Sequence, residues 1–220
     1  NQWGPRKNME ALISAFVDEF RNDEVGLVIK TNAANDSRID KNMIEQRLQA
    51  LLVSKGERKC KVHLVHGRMS DSEMSGLYRH PKIKAFVTAT HGEGFGMPIF
   101  EATAAELPVI ATDWSGHLDF LSVKDEDGAD KKLFAKVDYE MKPIEQAHVW
   151  QGVMEAGTSW AYPSISSLKS KMREVIKDYG RFKSWAKKLA VHNKQVFTKE
   201  ELYKKFVSNF ETKSDDIMVL

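Results

Sequence analysis

A Rossmann-like three-layer α/β architecture built on a parallel sheet is the fold class this sequence predicts, and three observations predict it. Helical and strand patterns alternate along the first half of the chain, and such alternation joins strands through helical crossovers into a parallel sheet. The strand candidates are short continuous runs of branched apolar residues, as in strands covered on both faces. A glycine-rich turn follows directly on one of them, at the strand-to-helix edge where doubly wound sheets bind ligands.

Taken in order, Pro5 precedes a stripe of Met9, Leu12, Ile13, Phe16, Val17 and Phe20, the three and four residue spacing of a one-sided helix. "VGLVIK" at 25–30 predicts the first strand, Met43, Ile44, Leu48, Leu51 and Leu52 a second helix, and "KVHLVH" at 61–66 the second strand. A short helix at 71–78, a strand "KAFVTAT" at 84–90, a helix after Gly96 and a strand "LPVIAT" at 107–112 continue the series. The charged, turn-prone "VKDEDGADKK" at 123–132 predicts a surface loop. Beyond Pro163, Ile165, Leu168, Met172, Val175 and Ile176 mark an amphipathic helix, and "FKSWAKKLAVHNK" and "KEELYKKFVSNF" mark two more. The expected organisation is one domain over 1–210 and a frayed tail over 211–220.

Composition narrows the function classes. With 42% hydrophobic and 29% charged residues in 220, the chain can bury a core and disorder is excluded. A net charge of +2 without a basic block gives no case for nucleic acid. Cys60 is the single cysteine, which excludes an internal disulfide and fits a reducing, cytoplasmic compartment. No apolar run approaches the roughly 20 residues of a membrane span, so no integral membrane segment is expected. His63 and His66 stand three apart on a strand candidate and so face opposite sides, which argues against a metal site. The motif close behind Asn1 has the look of a cut through a longer protein.

The chemistry concentrates in "HGEGFGMPIFEATAAELPVI", 91–110. Gly92, Gly94 and Gly96 let the backbone take positive φ and let a ligand come close, while the following helix offers N–H groups and a positive dipole end to a phosphate. The spacing is not the G-x-G-x-x-G of dinucleotide folds, which disfavours hydride transfer on NAD. A carboxylate beside a phosphate repels it, so Glu93 is expected to face hydroxyl groups. Glu101, about a turn into the helix, is placed to accept from a neighbouring hydroxyl pair, as a carboxylate does on ribose.

These residues resemble a family. "HGEGFGMPIFEATAAELPVIAT", with seven residues between Glu93 and Glu101, is similar to the Glu-x7-Glu signature of retaining glycosyltransferases of the GT-B fold, above all family 4 (group 1). "GPRKNMEALISAF" resembles the segment that opens their C-terminal, donor-binding half, and the likeness runs through Leu121 and more loosely beyond. The resemblance implies that Lys7 holds the donor diphosphate, Glu93 contacts the transferred sugar and Glu101 the ribose, with backbone N–H groups of Gly94, Phe95 and Gly96 on sugar and phosphate. Arg6 is a ligand contact or a solvated surface charge, and the ring of Phe95 is expected to wedge into the core. Met97 touches the ligand or packs its helix; His91 approaches the sugar or is hydrogen-bonded within the turn. Arg68 and Met69 are candidates for the base pocket, Lys30 for a further phosphate contact, and Ser115 and Gly116 for the border of the site.

What the resemblance implies for activity is transfer of a sugar from a UDP- or GDP-linked donor with retention at the anomeric carbon, with no metal or other cofactor. Lys7 and the helix start after Gly96 would stabilise the leaving diphosphate. The acceptor, a sugar or glycoconjugate, would be held by an N-terminal half absent from this chain, through which the protein would meet a membrane peripherally if at all. This chain alone is expected to be weak or inactive. The competing reading is a non-catalytic nucleotide-binding or interaction domain of the same fold.

Overall fold

The computed structural model describes residues 2–210; the tail expected at 211–220 lies outside the described residues. Helix α1 (Met9–Glu19) turns Leu12, Ile13, Phe16 and Val17 inward, the stripe its spacing demands. Strand β1 (Gly26–Lys30) and strand β2 (Lys61–Val65) pair in parallel, Gly26 opposite Lys61 through Lys30 opposite Val65. Helix α2 (Arg38–Ser54) joins them, and the Ser37 hydroxyl caps it by accepting from the Asp40 amide. Helix α3 (Asp71–Arg79) opens on a reciprocal capping box between Ser70 and Glu73, which satisfies two otherwise orphaned amides.

Strand β3 is only Phe86–Val87, far shorter than the apolar run around it. It leads through the glycine turn into helix α4 (Met97–Ala104), and strand β4 (Val109–Thr112) follows with all four residues buried. After it come the short strands β5 (Ser122–Lys124), β6 (Asp130–Lys132), β7 (Ala135–Val137), β8 (Tyr139–Pro143) and β9 (Ser159–Pro163). Helices α5 (Ile165–Lys177), α6 (Tyr179–Val196) and α7 (Lys199–Ser208) close the described chain. Two buried clusters hold the layers: α1, β1 and α5 supply one, α4, β4, Phe120 and Leu189 the other, and Trp185 packs against both.

Three expectations change. The parallel strands form two ladders, β1 with β2 and β3 with β4 and β7, rather than one continuous run. The segment at 123–132 is an antiparallel hairpin of β5 and β6, because Asp125 accepts the amides of Asp127 and Ala129 and closes the turn, while Lys124 and Asp130 pair across the strands. Strands β7, β8 and β9 went unpredicted: β7 extends the sheet beside β4, and β8 and β9 form a separate antiparallel ribbon. No helix among the described residues is long and apolar enough to cross a membrane.

Candidate functional site

The glycine turn leaves the β3 segment at Thr90 and enters α4 at Met97, so the sheet itself delivers Glu93 to the carboxyl edge of the strands. Gly96 is the helix cap, at φ +89° and without room for a side chain between Ile99 and His117. It is the only one of the three glycines with positive φ. Gly92 and Gly94 lie in ordinary φ space, and the neighbours explain them: the Ser115 side chain crowds Gly92. No side chain caps α4, so the amides at its start remain for another acceptor.

Glu93 is the centre of the charge arrangement. Both its carboxylate oxygens accept from Lys7 Nζ, at 2.6 and 2.8 Å, and Oε2 also accepts from Arg6 at 3.1 Å. Burial pushes the Glu93 pKa up, but the two cations outweigh that and hold the carboxyl below its ordinary value. Arg6 also donates to the Gly92 carbonyl, and its own carbonyl accepts from the amide of His91. The 3-10 turn Pro5–Lys7 is thereby fastened to the glycine turn.

A second fastening comes from the loop after β4. The Ser115 hydroxyl accepts from the Glu93 amide at 2.9 Å and donates to the Glu93 carbonyl at 2.6 Å. Gly116 donates to the same carbonyl, and a Cβ at Gly116 would overlap the Gly94 carbonyl. Ser115 itself sits at φ +90°, ψ −177°, backbone space that belongs almost wholly to glycine.

Glu101 lies one turn and a half away on α4, exposed, with Oε2 accepting from the Tyr78 hydroxyl at 3.2 Å. Burial, then the nearby Glu101 charge, raises the Tyr78 pKa, so the phenol stays a donor. Tyr78 was not anticipated: it is the buried residue of a short helix, 23 positions from its partner, and nothing in its spacing announces the contact. Glu101, Tyr78, Arg68, Met69 and Lys30 all line one cavity of about 1310 Å³. Lys30 Nζ donates to the Gly67 carbonyl at 2.5 Å, tying strand β1 to the loop that carries Arg68.

The remaining candidates resolve by packing. Phe95 stacks obliquely on Phe100 and Phe120, the wedge under the turn that was expected for its ring. Met97 is exposed. His91 is buried, with Nδ1 2.9 Å from the Ala161 carbonyl and its ring stacked on Trp160; it joins the turn to β9. His66 pairs with Asp40 at 3.2 Å. Burial would raise the Asp40 pKa, but the amides of Ala34, Ala33 and Asn35 together with His66 drive it far below the carboxylate range. This pair ties the loops after β1 and β2 together.

A fold with strand-edge glycines, a cation pair on one glutamate and a second glutamate on the following helix defines a nucleotide-sugar enzyme class, and the comparisons agree with it. Residues 1–129 match the family model described as glycosyl transferases group 1, more than half of the chain, and the protein belongs to that family. A search of curated proteins gave no match. Among solved structures, the chain is similar to the C-terminal domain of a glycosyl transferase group 1 family protein (LpcC) from Francisella tularensis, at 19% identity and TM-score 0.55, covering 90% of this chain and 83% of that one. It also resembles HepE from Anabaena in complex with UDP-glucose, at 14% identity and TM-score 0.61, covering 96% of this chain and 46% of that one. Sucrose-phosphate synthase from Thermosynechococcus elongatus gives 17% identity and TM-score 0.58, over 95% and 44%. These likenesses establish the fold of a GT-B C-terminal domain, and the chain spans less than half the length of the last two.

Proposed function

We propose that this chain is the donor-binding half of a retaining glycosyltransferase, taking a UDP- or GDP-linked sugar. The observation that carries the reading is the convergence of Lys7 and Arg6 on Glu93 beside the uncapped start of α4. Such a cluster is suited to a ligand that presents negative charge and hydroxyl groups side by side. In this reading the diphosphate takes the Lys7 ammonium and the α4 amides. The sugar takes the Glu93 carboxylate, the ribose takes Glu101, and the base lies toward Arg68 and Met69.

As the anomeric bond breaks, charge grows on the departing diphosphate. Groups already aimed at it, Lys7 and the helix start, lower the barrier because they need no reorganisation. Glu93 is fixed by Ser115 through its backbone and by Lys7 through its side chain, so it meets the sugar in one orientation. Acceptor binding belongs to a further half of a longer protein, and transfer by this chain alone is expected to be slight.

Thermal unfolding with UDP, GDP, ADP and NAD tests the reading. A ligand at a hundredfold excess over Kd stabilises by about 2.7 kcal/mol, and each kcal/mol moves the midpoint of a domain this size by roughly 2–4 °C. One nucleoside diphosphate is expected to raise the midpoint in wild type and not in Glu101→Ala; no shift with any of them at millimolar concentration would count against the proposal.

A further inference from the structure

The cavity beside Glu101 extends well past the ligand residues. Its inner part is lined by the whole of β1 and by residues 84–88 around β3, and each of these strands has a ladder partner on one side only, β2 and β4 respectively. Two strand edges thus border one space, roofed by Leu12 and Phe16 of α1 and floored by Met74 and Leu77 of α3. Buried backbone N–H and C=O groups require partners, and an exposed strand edge is a template for another strand. A nucleotide does not supply a ladder of alternating donors and acceptors along five residues.

The chain itself shows the direction of the missing partner. Gln2 bridges Asn32 in the parallel sense, and the Trp3 amide donates to the Asn32 carbonyl at 2.7 Å. Polypeptide running into Gln2 therefore lies parallel to β1. Carried back with the one-for-one register of β1 and β2, the positions opposite Gly26–Lys30 are the five immediately ahead of Asn1. We propose that the space between β1 and β3 receives one extended strand, apolar on both faces, contributed by the polypeptide that leads into Asn1 in a longer protein. Helices cover the space from both sides, which is why the strand must be apolar throughout. Seated there, it joins the two ladders into one parallel sheet, and its carboxyl end runs through Trp3 and Gly4 straight into Arg6 and Lys7. The strand thereby sets where the Lys7 ammonium stands.

The test compares the chain with two five-residue extensions ahead of Asn1, Val-Ile-Val-Ile-Val and Gly-Ser-Gly-Ser-Gly. Amide hydrogen exchange over 26–30 and 84–88, the thermal midpoint and the solution mass are read for each. The apolar extension is expected to slow exchange in both strands and raise the midpoint by about 4 °C or more as a monomer, and the glycine-serine extension to do neither. Equal exchange with the two extensions overturns the proposal. So does protection that appears only with a doubled mass, which would make a second copy the occupant. Protection of both strands by UDP or GDP alone would make the inner space a ligand pocket and overturn it too, whereas a failure of nucleotide binding with the apolar extension still protective would sink the donor-half reading and leave this one standing.

Discussion

Lys7 Nζ stands 2.6 Å from Glu93 Oε1 and 2.8 Å from Oε2, although 86 positions separate the two residues. The ammonium proposed for the diphosphate and the carboxylate proposed for the sugar are one ion pair, with side chains 16% and 9% exposed. Replacing either residue therefore tests a different half of the ligand.

Lys7→Met leaves the Glu93 carboxylate with Arg6 alone. Loss of a buried partner costs about 3–5 kcal/mol, and the remaining Arg6 and the open edge of the site reduce this to about 1–3 kcal/mol. Nucleoside diphosphate affinity is expected to fall at least tenfold. Glu93→Gln frees Lys7 and is expected to leave UDP or GDP binding equal or tighter while weakening the sugar nucleotide. Calorimetry of both ligands on both variants decides; parallel losses for the bare nucleotide would contradict the division of roles.

Ser115 offers a reading of stored strain. Ser115→Ala and Ser115→Gly both lose the hydroxyl that holds Glu93, but only glycine accepts φ +90°, ψ −177° without strain. Relief of about 1–3 kcal/mol exceeds the entropic disadvantage of glycine, about 0.5–1 kcal/mol. Ser115→Gly is thus expected to be the more stable variant in urea unfolding. The opposite order would mean that the surrounding turn, not the hydroxyl, sets this backbone.

The legible part of the site was the part carried by local spacing. Glu93 and Glu101 stand in one short turn and helix, so their separation is visible in a single dimension. Tyr78, Ser115 and the Asp40–His66 pair reach across elements, and no residue type marks such a contact in advance. The early strands were readable because double burial makes them apolar throughout, while β7 alternates as Ala135, Lys136 and Val137, with only the ends buried, too short a run to register. Three glycines suggested three positive φ angles; crowding accounts for Gly92, and only Gly96 required the left-handed space.

Glu101 and Tyr78 make a donor-to-carboxylate contact at the cavity rim. Tyr78→Phe removes one hydrogen bond to an exposed acceptor, so folding stability is expected to change by less than about 1 kcal/mol. The ribose carboxylate loses its positioning, and nucleotide affinity is expected to fall about threefold to tenfold. Comparison of UDP with uridine-free pyrophosphate localises the effect: a loss for both ligands alike would place Tyr78 in the fold rather than beside the ribose.

The last prediction concerns acid. Burial lowers the pKa of His91, its hydrogen bond to the Ala161 carbonyl opposing only in part, and burial lowers that of His117 likewise. The folded chain then binds these protons less readily than the unfolded chain does. Stability from the neutral rings is complete above the unfolded value of about 6.5 and is lost as pH falls below it through the folded values. Glu93 acts in the same direction further down, because its depressed pKa gives stability that fades only below the ordinary glutamate range. The urea midpoint is expected to be lower at pH 5.5 than at pH 7.5. His91→Phe preserves a ring against Trp160 and removes the titrating group, so its midpoint at pH 7.5 drops while the difference between the two pH values shrinks. His117 carries the remainder, and an undiminished difference in His91→Phe would assign the acid sensitivity elsewhere.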